Sequence, residues 1–306
     1  MGRDYELSQD FRGEVIVQEV AIPKVGVLHA GNSMSPVEWL LARSGDAIYL
    51  CFRGTEDVQD AAIDLSVLPD YTRFKHGIGV HGGIAQALEQ KGKNTRHVLN
   101  DVLEALRRHR KAGERLVLCG HSLGGGYAQV MAVHLLSRRV DVTAVRTFGA
   151  PHVFVPLEQE EEGEERETSP LWKQLCSISQ HWVQEWDPIP RIPLCKAWLT
   201  EVLPKLKLEL EGIRVGMAKT LLRAIQQNYN GAKAPLLEGF DVAGEVVLVS
   251  KARISAHIAR EGAWPQKELL SEKPPEASMT LNKLNADHDM KEYLQIARLL
   301  TGPEAA

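Results

Sequence analysis

Gly120-His121-Ser122-Leu123-Gly124 sets a serine in the pattern G-x-S-x-G. A serine in this pattern can act as a nucleophile when it sits at a tight strand-to-helix turn, where strained backbone lifts its Oγ above the sheet edge. The flanking glycines, Gly120 and Gly124, remove the Cβ atoms that would collide where strand and helix approach. The following helix points its N-terminus at the site, which favours developing negative charge. Alone the pentapeptide is weak, since ordinary Gly and Ser usage produces it by chance in roughly one chain in ten of this length. Its context is stronger: it directly follows the apolar run RLVLC and opens a helix through Gly125 and Gly126. The competing reading is a Gly-rich phosphate or packing turn, but the Lys-Ser/Thr ending of a phosphate loop is missing.

A serine needs a base, and the base needs an orienting acid. In α/β-hydrolases, where the serine stands in such a turn, the chain order is serine, then acid, then histidine, and the acid is sought on a turn after a later strand. Asp187 in Trp186-Asp187-Pro188-Ile189-Pro190 suits that place, ending a strand-like run in a turn stiffened by prolines. Asp141 precedes the next strand and Asp241 lies in a glycine-flanked loop, both poorer positions; a cap or turn role is the competing reading for Asp187. Two histidines follow, His257 in RISAHIAR and His288 in NADHDMKEYL. From the residues alone either could reach the sheet edge from a loop, with His288 favoured. An oxyanion needs two donors. The backbone N–H of Leu123 supplies one, and Thr55 in Phe52-Arg53-Gly54-Thr55 is the candidate for the other.

These groups have to be positioned by an alternation of strands and helices. AIYLCF (47–52) and RLVLCG (115–120) are continuous apolar runs that read as buried parallel strands. Residues 95–110 carry Val98, Leu99, Val102, Leu103 and Leu106 at helical spacing. GGGYAQVMAVHLLSRR reads as a helix with Arg138 and Arg139 in its last turn, and VTAVRTFGAP (142–151) as a strand. LWKQLCSISQHWVQEWDPIPRIP (171–193) has a strand-like start and a proline-rich end. Further on, KLKLELEGI (205–213) alternates as a strand, GMAKTLLRAIQQNY (216–229) carries a helical stripe, EVVLVS (245–250) is a late strand and DMKEYLQIARLL (289–300) a terminal helix. The rhythm implies the α/β class, a mostly parallel central sheet with helices on both faces. One domain over residues 1–306 is expected, with the acidic run near 157–170 as a solvated surface loop. Residues 203–235 read first as core packing and second as a cap or an apolar membrane-contacting surface.

With 25% charged residues, a formal charge of −4 and four cysteines, the chain lacks the basic footprint of a nucleic-acid binder and the dense cysteine pattern of a disulfide scaffold. Any lipid contact would have to be apolar. Cys51 and Cys119 lie within apolar runs, where a buried free thiol is the default, and all four cysteines are expected to be reduced. No apolar stretch is long enough for a signal segment or a bilayer span, so a soluble, cytoplasmic protein with at most peripheral membrane association is expected.

The chain resembles the class 3, fungal-lipase-like family of α/β-hydrolases. Five segments match in order: YLCFRGTEDVQDAAIDL (49–65), VHGGIAQAL (80–88), LCGHSLGGGYAQVMA (118–132), VRTFGAPHVF (145–154) and WDPIPRIP (186–193). A sixth, DHDMKEYL (287–294), is similar to the stretch that carries the family's histidine. The resemblance implies Ser122 as nucleophile, Asp187 as acid, His288 as base, and Thr55 with Leu123 as the oxyanion pair. GFDVAGEVVLVS (239–250) is similar to the diacylglycerol-lipase and plant acyl-hydrolase branches. The chain also departs from the family. Ala61 and Ala62 stand where an aromatic lid anchor is common, and His152 replaces a basic residue after the Gly-x-Pro turn. The resemblance implies a lipase that cleaves acylglycerol esters through an acyl-serine, with no metal or cofactor and with transient contact to a membrane or lipid-droplet surface. The alternatives are a general esterase or thioesterase on soluble esters, a peptidase, and a non-enzymatic lipase-like signalling or binding scaffold.

Overall fold

Strands form where short runs of branched and aromatic side chains can be buried, and the longest of these runs stack side by side. The computed structural model describes residues 25–31, 37–54, 69–70, 78–89, 97–156, 169–184, 186–191, 240–250, 255–259 and 281–301. Among them the order is β1 (Gly26–Ala30), β2 (Trp39–Ser44), β3 (Ala47–Phe52), β4 (Pro69–Asp70), β5 (Ile78–His81), α1 (Gly82–Glu89), α2 (Val98–His109), β6 (Arg115–His121) and α3 (Leu123–Leu136). Then follow β7 (Ala144–Phe148), β8 (Phe154–Pro156), α4 (Pro170–Ile178), β9 (Ser179–Gln184), β10 (Glu245–Ser250), β11 (Ser255–Ala259), α5 (Leu281–His288) and α6 (Met290–Thr301).

The described main sheet has eight strands in the order β1-β2-β3-β6-β7-β9-β10-β11. β3, β6, β7, β9 and β10 run parallel, while β1, β2 and β11 add antiparallel edges. A smaller sheet joins β4, β5 and β8. Along β3 and β6 the side chains alternate. Ile48, Leu50 and Phe52, with Leu116 and Leu118, enter a core shared with α3, whereas Tyr49, Cys51, Val117, Cys119 and His121 face the other way and are half-buried. Every residue of α3 is buried, so this helix is apolar all round. α2 needs only one apolar stripe and buries Val98, Leu99, Val102, Ala105 and Leu106. On the opposite face of the sheet, Tyr293 of α6 packs with Val247, Val249, Phe148 and Trp182.

Several expectations need correction. Residues 170–178 are a helix, because Pro170 presets its first turn and Trp172, Leu175 and Cys176 fall on one buried stripe; the strand begins only at Ser179. α3 stops at Leu136, and Arg138 and Arg139 lie beyond it, with Arg139 at a φ of 60°. His257 lies inside β11 and pairs with Leu248, so it is not on a loop. Cys51 and Cys119 are half-buried and not fully enclosed. The readings at 157–168, 203–235, Ala61, Ala62, Cys195 and Thr55 fall outside the described residues.

Candidate active site

Because the central strands are parallel, their carboxyl ends share one edge of the sheet, where crevices for ligands form. β6 ends at His121 and α3 starts at Leu123, leaving Ser122 as the single residue of the turn. Its backbone has a φ of 54° and a ψ of −132°, a conformation costing about 1–3 kcal/mol for a residue with a side chain. The surroundings enforce it. A Cβ on Gly124 would come within 2.3 Å of the Phe52 carbonyl oxygen, and one on Gly120 within 2.3 Å of Gly124. Strand, elbow and helix therefore meet in backbone contact, and the Ser122 N–H is anchored on the Phe148 carbonyl at 3.0 Å.

β9 ends at Gln184, and the chain turns through Asp187, whose N–H bonds to the Gln184 carbonyl at 2.8 Å. His288 closes α5, with Asp289 linking it to α6. The three side chains meet. His288 Nε2 lies 2.9 Å from Ser122 Oγ, and His288 Nδ1 lies 2.9 and 3.0 Å from the two oxygens of Asp187. Asp187 is fully buried, and Ser122 and His288 nearly so. A buried carboxylate needs donors, and Asp187 has three: His288 Nδ1–H, the Ile189 N–H at 2.9 Å and the Tyr293 hydroxyl at 2.5 Å. With Nδ1 carrying the proton, Nε2 is left to accept that of Ser122, the arrangement that lets a hydroxyl attack a carbonyl.

Sequence reasoning missed the supports of this relay. Tyr293 accepts from the Gln184 N–H at 2.9 Å while donating to Asp187, so it locks α6 to the end of β9. The coulombic field of Asp187 and, before it, burial push the Tyr293 hydroxyl well above its ordinary range, keeping it a donor. Gly149 has a φ of 55°, and a Cβ there would sit 2.4 Å from an Asp187 oxygen. His121, expected only as part of the elbow, donates from Nε2 to the His288 carbonyl at 2.7 Å and stacks on its ring at 4.7 Å. Burial, then the neighbouring His288, push His121 down to about 4, so it stays neutral and does not compete for the proton of Ser122. The spacing of Tyr293 from His288 gave no signal of this contact, whereas the Gly-Ala-Pro after β7 is a turn signal from which Gly149 could have been found.

The N–H of Leu123 opens α3 and belongs to the helix's first turn, whose amides have no carbonyl partner within the helix. The loop that follows β3 reaches the same place, since a Cβ on Gly54 would lie 2.5 Å from the His121 carbonyl oxygen. Thr55 comes next in sequence and lies outside the described residues. Asp141 lies at the far end of the sheet before β7, and Asp241 bridges to Phe154, so neither belongs to this site.

A family model described as lipase (class 3) matches residues 49–197, the span that holds Ser122 and Asp187. Over that span, just under half of its length, the chain is similar to the class 3 lipases. Among solved structures, the triacylglyceride lipase of Rhizomucor miehei is similar at 17% identity with a TM-score of 0.51, covering 80% of this chain and 76% of that one. Mono- and diacylglycerol lipase from Aspergillus oryzae gives 14% identity, a TM-score of 0.49, and coverage of 76% and 68%. Lipase II from Rhizopus niveus gives 25% identity and a TM-score of 0.44 over 56% of this chain and 62% of that one. The first of these likenesses establishes the α/β-hydrolase fold for this chain. No curated protein sequence matches it. Among the described residues no helix is long and apolar enough to cross a membrane.

Proposed function

We propose that this chain is a class 3 lipase that cleaves fatty-acyl esters of acylglycerols through an acyl-serine intermediate. The observation that carries the reading is the buried chain of hydrogen bonds from Ser122 Oγ through His288 to Asp187. His288 Nε2 takes the hydroxyl proton as Ser122 Oγ attacks the ester carbonyl carbon, and Asp187 stabilises the resulting imidazolium. The carbonyl electron pair moves to oxygen, where the Leu123 N–H, and on the family pattern Thr55, hold it. Collapse of the intermediate expels the alcohol, which takes the proton back from His288. Water, deprotonated by the same histidine, then releases the fatty acid.

Ser122 is only 1% exposed, so an ester reaches it after covering side chains move aside. An apolar lipid surface that contacts this edge of the sheet would favour such opening. The sequence similarity of residues 239–250 supports a diacylglycerol-type substrate. The test compares wild type and Ser122→Ala on short- and long-chain nitrophenyl esters and on a diacylglycerol emulsion. Turnover of long chains and emulsion by wild type, lost in the variant, is the expected result. Activity confined to soluble short esters would replace the lipase with a general esterase, and no turnover on any ester would leave a non-enzymatic scaffold.

A further inference from the structure

Cys51 of β3 and Cys119 of β6 are register partners on neighbouring parallel strands, and their sulfurs lie 3.1 Å apart. Both are free thiols and half-buried, within reach of a small solute, while Cys176 is buried in the core. We propose that this pair is a reversible oxidation site that closes to an intrachain disulfide with hydroperoxide as oxidant, and that closure slows the ester hydrolysis assigned above, on which this second part rests.

The backbone already satisfies the bond. Neighbouring strands lie about 4.7–4.9 Å apart, inside the range of about 4.4–6.8 Å between Cα atoms that disulfides span. The two Cβ atoms emerge on the same face because the residues are paired. Only the sulfurs need to move, from 3.1 Å to about 2.05 Å. The hydrogen bond between the thiols and then burial push the Cys51 thiol up, so Cys51 takes the resolving role and the scheme opens with an attack by its partner. In that step the Cys119 thiolate attacks one peroxide oxygen, the O–O bond breaks, and the departing hydroxide becomes water as a sulfenic acid forms. Cys51 Sγ then attacks the sulfenic sulfur, the S–O bond breaks, and the thiol proton leaves with the hydroxyl as a second water. The two thiols lose two electrons together, and one peroxide is reduced to two waters.

The position of the bond gives it a consequence. Cys119 lies two residues before His121, on the same face of β6, and His121 carries the hydrogen bond that places His288. Cys51 lies one residue before Phe52, whose carbonyl oxygen is in contact distance of Gly124 in the elbow. A cross-link here ties together the two strand ends that hold the nucleophile and the loop after β3. Close-packed backbone leaves no slack to absorb the shift, and small displacements of a catalytic group reduce turnover steeply.

The experiment treats the full chain with hydrogen peroxide, quenches it, and reads intact mass, peptide linkage and ester turnover before and after dithiothreitol. The expected result is loss of two hydrogens per chain, a peptide joining Cys51 to Cys119, and a kcat reduced by about threefold or more that dithiothreitol restores. Cys51→Ser and Cys119→Ser should each keep reduced-state turnover and lose the peroxide response, whereas Cys176→Ser should retain it. Linkage to another cysteine, or only sulfinic acid at these positions, overturns the site. A Cys51–Cys119 disulfide with unchanged turnover overturns the coupling. Because linkage is read by mass, a reduced protein that hydrolyses no ester refutes the functional assignment and its coupling, and the oxidation site stands or falls separately.

Discussion

Tyr293 and Gly149 meet the same oxygen of Asp187 side by side, one by a hydrogen bond and the other by having no side chain. Tyr293→Phe keeps the ring among Val247, Val249 and Phe148 but removes the donor to the carboxylate. Steady-state kinetics on a nitrophenyl ester should show kcat lowered by about tenfold with KM little changed, because the hydroxyl positions the acid and touches no substrate. An equal effect on KM alone would mean that Tyr293 shapes the substrate path. Gly149→Ala meets two obstacles, a left-handed φ and a Cβ placed 2.4 Å from an Asp187 oxygen. It should cut turnover by about 10²-fold or more while costing about 1–2 kcal/mol in denaturant unfolding. Asp187→Asn should leave a small remainder of activity, on the order of 10⁻⁴ of wild type, whereas Ser122→Ala should leave less than any acid variant. The candidate catalytic residues were legible because their types are few and their chain order is restricted. Ser122 stood in a motif, and Asp187 stood in a stiff turn. His288 was only modestly favoured over His257 until the resemblance was used, because the edge strand β11 around His257 was not recognised. Tyr293 was illegible because a tyrosine on a helical stripe looks like any other packing residue until α6 is seen against the end of β9.

At the scale of elements, the sheet carries histidines that the fold keeps neutral. His121 at the end of β6 and His181 in β9 are each pushed down to about 4, in both cases chiefly by burial. His152, in the segment after β7, is driven well below its ordinary value of 6.5, again by burial and then by His181. Above pH 6.5 these groups are neutral in both folded and unfolded chains and do not affect the balance. As the pH falls from 6.5 toward about 4, the unfolded chain takes up protons that the folded chain refuses, so stability declines through that window. His152 has no hydrogen-bond partner for either ring nitrogen among the described residues. His152→Leu should therefore raise the melting temperature at pH 5 by more than at pH 7.5, as followed by circular dichroism. A uniform shift at both values would assign the gain to packing alone. The strands were legible where apolar runs were continuous, as in AIYLCF and RLVLCG. α4 was misread because LWKQLCSI offers an apolar residue to either period, and only Pro170 and the burial of Trp172, Leu175 and Cys176 decide for helix. β1 and β2 escaped notice because a search for buried parallel runs passes over the antiparallel strands at one side of the sheet.

For the whole molecule, the order of parts along the chain governs when it becomes an enzyme. The base lies 166 residues after the nucleophile and 101 after the acid, on helices that pack only once the sheet has a surface to receive them. A nascent or partly refolded chain can form β6, the elbow and α3, yet Ser122 remains an ordinary alcohol until α5 and α6 dock. Such long-range closure is slow compared with local helix formation. On dilution from denaturant, return of ester turnover should thus lag behind return of the far-ultraviolet helix signal. Coincident recovery would mean that residues 281–301 dock with the sheet in one step. The consequence is a form of quality control that needs no inhibitor: copies in which α5 and α6 have not docked are harmless to their surroundings, and hydrolysis itself reports that the site has closed.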